Sequence, residues 1–137
     1  MSKKFICAVV FTMFMVFGLA ACGGNVNESG MDSKLIQIVE EANKDLPMMI
    51  DEETKLEQII VLPGNKVQFN HVLINASNEA IDVDEFASAM GPAIFNNVKA
   101  NPGLETFRKK NVTFIYHYSD RDGEEIAVFE ITPEDYK

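Results

Sequence analysis

Two histidines are the side chains of this sequence best suited to ligate a metal ion, and the chain has no others. His71 and His117 each lie in a stretch that alternates between apolar and polar residues, a pattern typical of β-strands. His71 is in phase with the apolar Val67 and Phe69, whereas His117 is out of phase with the apolar positions of its own strand. This alternation predicts that the two imidazoles point to opposite faces of a sheet, so we expect no shared metal site. His71 is predicted to be a core residue whose polar atoms are satisfied. The two histidines are nevertheless the only candidate site residues in the globular part, and both are weak candidates.

The acidic and nucleophilic residues form no recognisable catalytic pattern. The stretch Asp120-x-Asp122-Gly123-x-Glu125 is similar to part of a calcium loop, but Tyr118 and Phe129 stand where the first and last ligands belong. It is better interpreted as a hairpin turn. The serines lack a nucleophile motif, no glycine-rich phosphate loop is present, and the carboxylates come in runs typical of a solvated surface. We therefore predict no catalytic residues, no metal, no cofactor and no enzymatic activity.

Cys22 is a candidate for chemical modification, because of the residues that precede it. Residues 1–4 carry two lysines, residues 5–17 are apolar apart from one threonine, and small residues follow, as in a secretory signal peptide. The apolar run is short for a membrane-spanning helix of about 20 residues. Leu19-Ala20-Ala21-Cys22 resembles the bacterial lipobox, which implies cleavage before Cys22 and a diacylglycerol on its sulfur. Cys7, the only other cysteine, lies in the predicted signal, so we expect no disulfide.

These features divide the chain into three parts. Residues 1–21 are the predicted signal peptide, residues 22–31 are the lipidated cysteine and a flexible glycine-containing tether, and residues 32–137 are a single domain. The diacylglycerol would hold the protein in the cell membrane or the outer membrane, with the domain outside the cytoplasm. Gly23 follows the cysteine where an aspartate could stand, and this favours the outer membrane in a cell that has one.

The charge of the chain restricts its partners. Twelve basic residues face 21 acidic ones, for a net charge of −9, and removal of Lys3 and Lys4 with the signal would bring it to −11. Such a chain repels nucleic acid and anionic lipid headgroups. Besides the membrane that its lipid enters, we expect a protein or an envelope polymer as partner, and no nucleic acid.

Periodicity and turn residues predict an α+β fold. An apolar stripe from Ser33 to Leu46 predicts an N-terminal helix. Two hairpins and two intervening helices follow, and Pro92 is expected to kink or divide the first of these helices. The order β-β-α-α-β-β predicts a four-stranded antiparallel sheet, with helices on the face that bears Phe114 and Tyr116. The predicted strands are residues 55–62, 66–75, 111–119 and 124–131, and the predicted helices after the first are residues 82–98 and a short one after Asn101-Pro102.

The middle of the chain carries a series of short motifs, in this order: Leu46-Pro47, Asp51-Glu52-Glu53-Thr54, Pro63-Gly64-Asn65, Phe69-Asn70, Asn101-Pro102, Phe107, Lys109 and Val112-Thr113. On these motifs, the chain from about Leu46 to Ile126 resembles a family of small exported bacterial domains whose function is not established. The resemblance brings no catalytic residues with it. The chain departs from the family at His71, where relatives often have an aromatic residue, and at Ala100, where they have a cysteine.

Three functions are compatible with these observations. The first is a lipid-anchored envelope lipoprotein whose non-enzymatic domain binds another protein or an envelope polymer. The second is an acidic inhibitor or immunity-type protein that blocks a cationic envelope enzyme. The third is an enzyme, which would need a deep polar pocket that holds carboxylates with shifted pKa values.

Overall fold

The structure, a computed structural model, describes residues 31–137. Cys22, the predicted signal peptide and most of the predicted tether lie outside the described residues. The elements, in chain order, are α1 (Ser33–Asn43), β1 (Met48–Met49), β2 (Thr54–Leu62), β3 (Lys66–Leu73), α2 (Val83–Ala100), α3 (Glu105–Lys109), β4 (Thr113–Asp120), β5 (Glu125–Ile131) and α4 (Pro133–Tyr136), with short 3₁₀ turns at Asn78–Ala80 and Pro102–Leu104.

The sheet has five strands in the order β1-β2-β3-β4-β5, and β3 runs parallel to β4 while the other pairs are antiparallel. The α+β class is confirmed, but the prediction of four strands, all antiparallel, is wrong. The physical reason is the connection between the hairpins. Helix α2 returns the chain to the end of the sheet where β3 began, so the next strand must run in the same direction as β3.

Asn65 fixes the start of β4 beside the start of β3. Its carbonyl accepts the N–H of Thr113 (3.0 Å), and its Nδ2 donates to the carbonyls of Lys110 and Asn111 (2.9 Å each). Asn65 and Asn111 both have left-handed backbones, with φ of 60° and 55°, a conformation that asparagine tolerates better than most residues. These contacts set the parallel register in which Lys66 pairs with Thr113.

The N-terminal helix is three residues shorter than predicted, and a strand that was not predicted follows it. Helix α1 ends at Asn43, whose Nδ2 donates to the carbonyl of Ile59 (2.7 Å) while its Oδ1 accepts the N–H of the same residue (2.9 Å). The amide thus substitutes for a neighbouring strand at the edge of β2. Further along that edge, Met48 and Met49 pair with Leu56 and Lys55 as β1, a strand too short to show alternation.

Pro92 was expected to kink or divide this helix, and α2 continues through it, so a division is excluded. Gly91 explains the continuity: a proline ring clashes with the Cβ of the preceding residue in the helical conformation, and glycine has none. The N-terminus of α2 is capped by Asp82, whose carboxylate accepts the N–H of Glu85 (2.9 Å).

The core lies on one face of the sheet, and the helices cover the face that bears Phe114 and Tyr116, as predicted. On this face Phe69 stacks on Tyr116 with 5.2 Å between ring centroids. The C-terminal helix α4, which was not predicted, closes one end of the core, where the Tyr136 hydroxyl donates to the carbonyl of Val112 (2.7 Å). The opposite face, which we call the open face, carries Gln68, Asn70, His117, Val128 and Glu130.

Candidate functional site

An apolar groove runs between α2 and the inner face of the sheet. Residues of α2 form one side of it, and residues of β2, β3 and β4 with Ile50 form the other. The groove consists of two adjoining cavities of about 370 Å³ and 410 Å³, and Met90 of α2 lines both. We call these two cavities together the α2 groove. Its larger side chains are Ile50, Leu56, Phe69, His71, Ile81, Phe86, Met90, Ile94, Tyr116 and Tyr118.

The outer lip of the groove is a run of three exposed apolar residues. Met48, Met49 and Ile50 are 49%, 47% and 54% exposed, and Ile50 also lines the groove. Among residues 31–137, the other exposed large apolar side chains are Val83, at 38%, and Val128, at 48%. Contiguous exposed apolar surface is uncommon on a monomer and is typical of interaction sites. This lip was not predicted from the sequence, although three consecutive apolar residues between a proline and an acidic run indicate such a surface.

His71 lies at the floor of the groove, on the covered face that the alternation predicts and in the aromatic slot that the family resemblance implies. Its ring stacks on Tyr118 (4.6 Å between centroids) and on Tyr116 (5.5 Å). The side chain is 3% exposed, and its Nδ1 is buried with no hydrogen-bond partner. Burial lowers the pKa of His71 to about 4, although the polar backbone groups of Phe69 and His117 near the ring oppose this change. The imidazole is therefore neutral at physiological pH.

Three other side chains of the groove, Tyr116, Tyr118 and Asp51, have shifted pKa values. Burial raises the pKa of Tyr118 to about 12, and it also raises that of Tyr116, whose hydroxyl receives a hydrogen bond from Asn97 Nδ2 (3.3 Å). Hydrogen bonds from the backbone of Glu53 lower the pKa of Asp51. These directions keep the phenols protonated and Asp51 ionised near neutral pH, so none of the four groups is poised to exchange a proton there.

One end of the groove is acidic. Asp51 and Glu53 line the larger cavity, and the Asp51 carboxylate is held in place by the N–H groups of Glu53 (2.8 Å) and Thr54 (2.7 Å). Further carboxylates, at Asp82, Asp84 and Glu85, flank the first turn of α2 beside the lining residues Ile81 and Phe86. The groove therefore suits a ligand that is apolar along its length and basic at one end.

The structure does not bring the two histidines together. His117 lies on the open face, where its Nε2 is 3.1 Å from Glu125 Oε2. His71 lies on the covered face, so the predicted opposition of the two rings is confirmed. Within residues 31–137, no group of three or more histidine, cysteine or acidic side chains is arranged to hold a metal ion.

Asp120 forms a hairpin turn, as the sequence predicts, and not a calcium loop. Its carboxylate accepts the N–H groups of Asn78 (2.7 Å), Asp122 (2.9 Å) and Glu124 (2.9 Å), and these bonds lower its pKa. Gly123 has φ of +87°, which the turn requires. Asp120 thereby joins the 3₁₀ turn at Asn78–Ala80 to the β4–β5 hairpin.

Comparison with known proteins places the fold among exported bacterial proteins. No protein-family model and no curated protein sequence matches the chain. A candidate secreted protein of Pseudomonas aeruginosa matches with a TM-score of 0.64 and 13% identity over 76% of this chain and 90% of its own. EpsS, the pilotin of the Vibrio vulnificus type 2 secretion system, matches with a TM-score of 0.57 and 12% identity over 74% of this chain and 86% of its own. AspS, the type II secretion system pilotin of Vibrio cholerae, matches with a TM-score of 0.53 and 13% identity over 72% of this chain and 85% of its own.

The chain shares their fold. At these identities the likeness concerns the fold alone, and it agrees with the resemblance to small exported domains. In the described part of the chain, no helix combines the length and the apolar character needed to cross a membrane. The lipobox lies outside the described residues.

Proposed function

We propose that this chain is a lipid-anchored, non-enzymatic accessory protein of the cell envelope that holds an apolar segment of a partner protein in the α2 groove. The observation that carries the proposal is the groove with its exposed lip, Met48 to Ile50, on a chain that is otherwise strongly acidic. Exposing three apolar residues in a row costs solubility, and a partner that covers them removes this cost.

The fold supports an accessory role. Two solved proteins with this fold are pilotins of type 2 secretion systems, and a third is a candidate secreted protein. We infer a pilotin-like role, in which the chain accompanies a protein of an envelope assembly. A protein partner fits better than an envelope polymer, because Leu56, Phe86 and Met90 offer apolar surface where a polysaccharide would need hydrogen-bonding groups.

The anchor supports the same role. Two acyl chains on Cys22 would suffice for stable membrane attachment, and the eight residues from Gly23 to Gly30 would span about 15–17 Å on average as a flexible chain. The groove would thus work close to the membrane surface, where envelope assemblies are built. In a cell with two membranes, Gly23 favours the outer one.

The chemistry of the groove supports a binding role over catalysis. Its histidine is neutral and buried, its phenols stay protonated, and Asp51 is ionised and occupied by backbone N–H groups. A general acid or base works best with a pKa near the operating pH, and these groups have pKa values far from it.

Photo-crosslinking in cells tests the proposal. A photoreactive phenylalanine analogue is placed at Ile50, on the groove lip, and at Val128, on the open face, in the full-length chain. The two positions are matched in exposure, at 54% and 48%. We expect one discrete crosslinked envelope protein from Ile50, with an apolar segment at the crosslink, and none from Val128. Equal crosslinking from both positions, or none from Ile50, would contradict the proposal.

The acidic end of the groove makes an inhibitor of a cationic enzyme the second candidate. That function would rest on carboxylates such as Glu53, Asp84 and Glu85, so its affinity would fall steeply between 0.05 and about 0.5 M salt. Binding through the apolar groove would change little over the same range. The salt dependence of the complex captured from Ile50 therefore separates the two functions.

A further inference from the structure

We propose that Met48 and Met49 form an oxidation site, and that their conversion to methionine sulfoxide by peroxide prevents the α2 groove from holding its partner segment. This inference rests on the proposed function and adds a chemical control of the same site. Three observations support it: the methionines of the domain are concentrated at the groove, two of them are exposed, and these two lie outside the core.

The concentration of methionines at the groove is the first observation. Residues 31–137 contain four methionines, and three of them belong to the lip or line the groove: Met48, Met49 and Met90. Methionine is flexible and polarisable, so it packs well against apolar surfaces of irregular shape. Its thioether is also open to oxidation, which turns an apolar side chain into a polar one. The groove therefore offers a partner good apolar contact that an oxidant can remove.

Met48 and Met49 are the accessible methionines of this set. They are 49% and 47% exposed, whereas Met90 is partly buried and packs against the core. Because oxidation requires contact between the sulfur and the oxidant, exposed methionines react before packed ones. The predicted lipobox would place the domain outside the reducing environment of the cytoplasm. The lip is thus where an oxidant acts first.

Oxidation of the lip leaves the fold intact. Neither Met48 nor Met49 belongs to the hydrophobic core or to the partly buried side chains packed on it. Strand β1 is held by its pairing with Leu56 and Lys55 of β2, and backbone pairing survives a change of side chain. Sulfoxide in a core disrupts packing, but sulfoxide on the lip changes only the surface. The modification therefore acts on binding and not on folding.

The sulfoxide opposes burial under an apolar partner. Hydrogen peroxide transfers one oxygen atom to the thioether sulfur as its O–O bond breaks, and the other oxygen leaves as water, so the sulfur loses two electrons to the peroxide. The new oxygen accepts hydrogen bonds from water. A partner segment that covers the lip removes these bonds without replacing them, which costs about 1–3 kcal/mol for a buried polar group. Methionine sulfoxide reductases reverse the change.

Crosslinking with the purified full-length chain tests the proposal, because the oxidant can be removed before the partner is present. The chain carries the photoreactive analogue at Ile50, is treated with peroxide in lipid nanodiscs and is freed of peroxide with catalase. It is then irradiated together with detergent-solubilised membranes of a strain that lacks the chain. We expect sulfoxide at Met48 and Met49 by mass spectrometry, and a yield of the crosslinked envelope protein about tenfold lower than with the untreated chain.

Further comparisons show whether the lip methionines cause this loss. Met48→Leu combined with Met49→Leu keeps the lip apolar but removes both sulfurs, so its crosslink yield should not respond to peroxide. The matched control Met31→Leu should respond as the unsubstituted chain does. In the unsubstituted chain, methionine sulfoxide reductases should restore the yield. Amide hydrogen exchange of β3 and β4 should be the same before and after peroxide, because the lip lies outside the core.

The outcomes separate this inference from the proposed function. A crosslink yield that peroxide leaves unchanged, or lowers equally in the double leucine variant, would overturn the oxidation site and retain the groove as a partner site. Faster hydrogen exchange after peroxide would overturn it too, since the loss of binding would then follow from damage to the fold. No crosslink from Ile50 without peroxide would reject the proposed function, and this inference with it.

Discussion

At the residue scale, the sequence predicts which face of the sheet His71 occupies but not the hydrogen bonding of its ring. Its phase with Val67 and Phe69 was enough to predict the covered face, because side-chain direction in a strand depends only on local alternation. The prediction of a satisfied histidine is wrong, since Nδ1 is buried without a hydrogen-bond partner. The partners of a buried atom depend on the elements that the fold packs around the ring, which local alternation does not specify.

The buried imidazole predicts a pH dependence of stability. The pKa of His71 is about 4 in the folded chain and about 6.5 when unfolded, so the unfolded chain binds more protons between these values. Stability contributed by the neutral ring is therefore present above pH 6.5 and lost as the pH falls towards 4. We expect the wild type to lose about 3 kcal/mol more than His71→Phe between pH 7 and pH 4. Urea unfolding of a soluble form, residues 23–137, measures this; parallel pH curves for the two proteins would contradict it.

At the element scale, local signals predicted the helices and hairpins, but not how the strands pair. The turns at Pro63-Gly64-Asn65 and at Asp120 to Gly123 follow from residue types alone. The pairing of β3 with β4 is set across more than 40 residues by the path of α2 and by the bonds of Asn65. The groove was not predicted for the same reason, since α2 and the strands that line it are distant from one another in the sequence.

Asn65 offers a test of the parallel register. Asn65→Gly keeps the left-handed backbone but removes the two hydrogen bonds to Lys110 and Asn111, so we expect a loss of about 1–2 kcal/mol in the free energy of unfolding. Asn65→Ala should lose about 1 kcal/mol more, because alanine is strained at φ of 60°. Chemical denaturation measures both. If Asn65→Gly is as stable as the wild type, the side chain does not hold the register.

A double-mutant cycle tests whether Gly91 permits α2 to continue through Pro92. Gly91→Ala should normally stabilise a helix by about 1 kcal/mol, and its new Cβ would lie 3.7 Å from Phe129, an ordinary contact. With Pro92 in place, the Cβ meets the proline ring and the gain should vanish. We expect a coupling of about 1 kcal/mol between Gly91→Ala and Pro92→Ala by urea unfolding. Additive effects would show that Gly91 is not what permits the continuous helix.

At the scale of the whole molecule, the proposed function combines a lipid anchor at Cys22 with the α2 groove. The prediction for the anchor is that Cys22→Ser abolishes lipid attachment, because the thioether needs the cysteine sulfur. The variant should lose the mass of the diacylglycerol and move from the detergent phase to the aqueous phase. Mass spectrometry and phase partition measure the two effects. A variant that keeps the mass shift and still fractionates with membranes would rule out the lipobox.

The central claim, that a partner segment occupies the α2 groove in the cell, is tested most directly by methionine oxidation of the unaltered chain. Met48 and Met49 form the lip and Met90 lines the groove, whereas Met31 precedes α1 and serves as the internal control. Membranes and purified protein are exposed briefly to the same dose of peroxide, and oxidation at each methionine is measured by mass spectrometry. We predict that the three groove methionines are protected in membranes relative to Met31 and that purification removes the protection. Equal relative oxidation in the two samples would contradict the account.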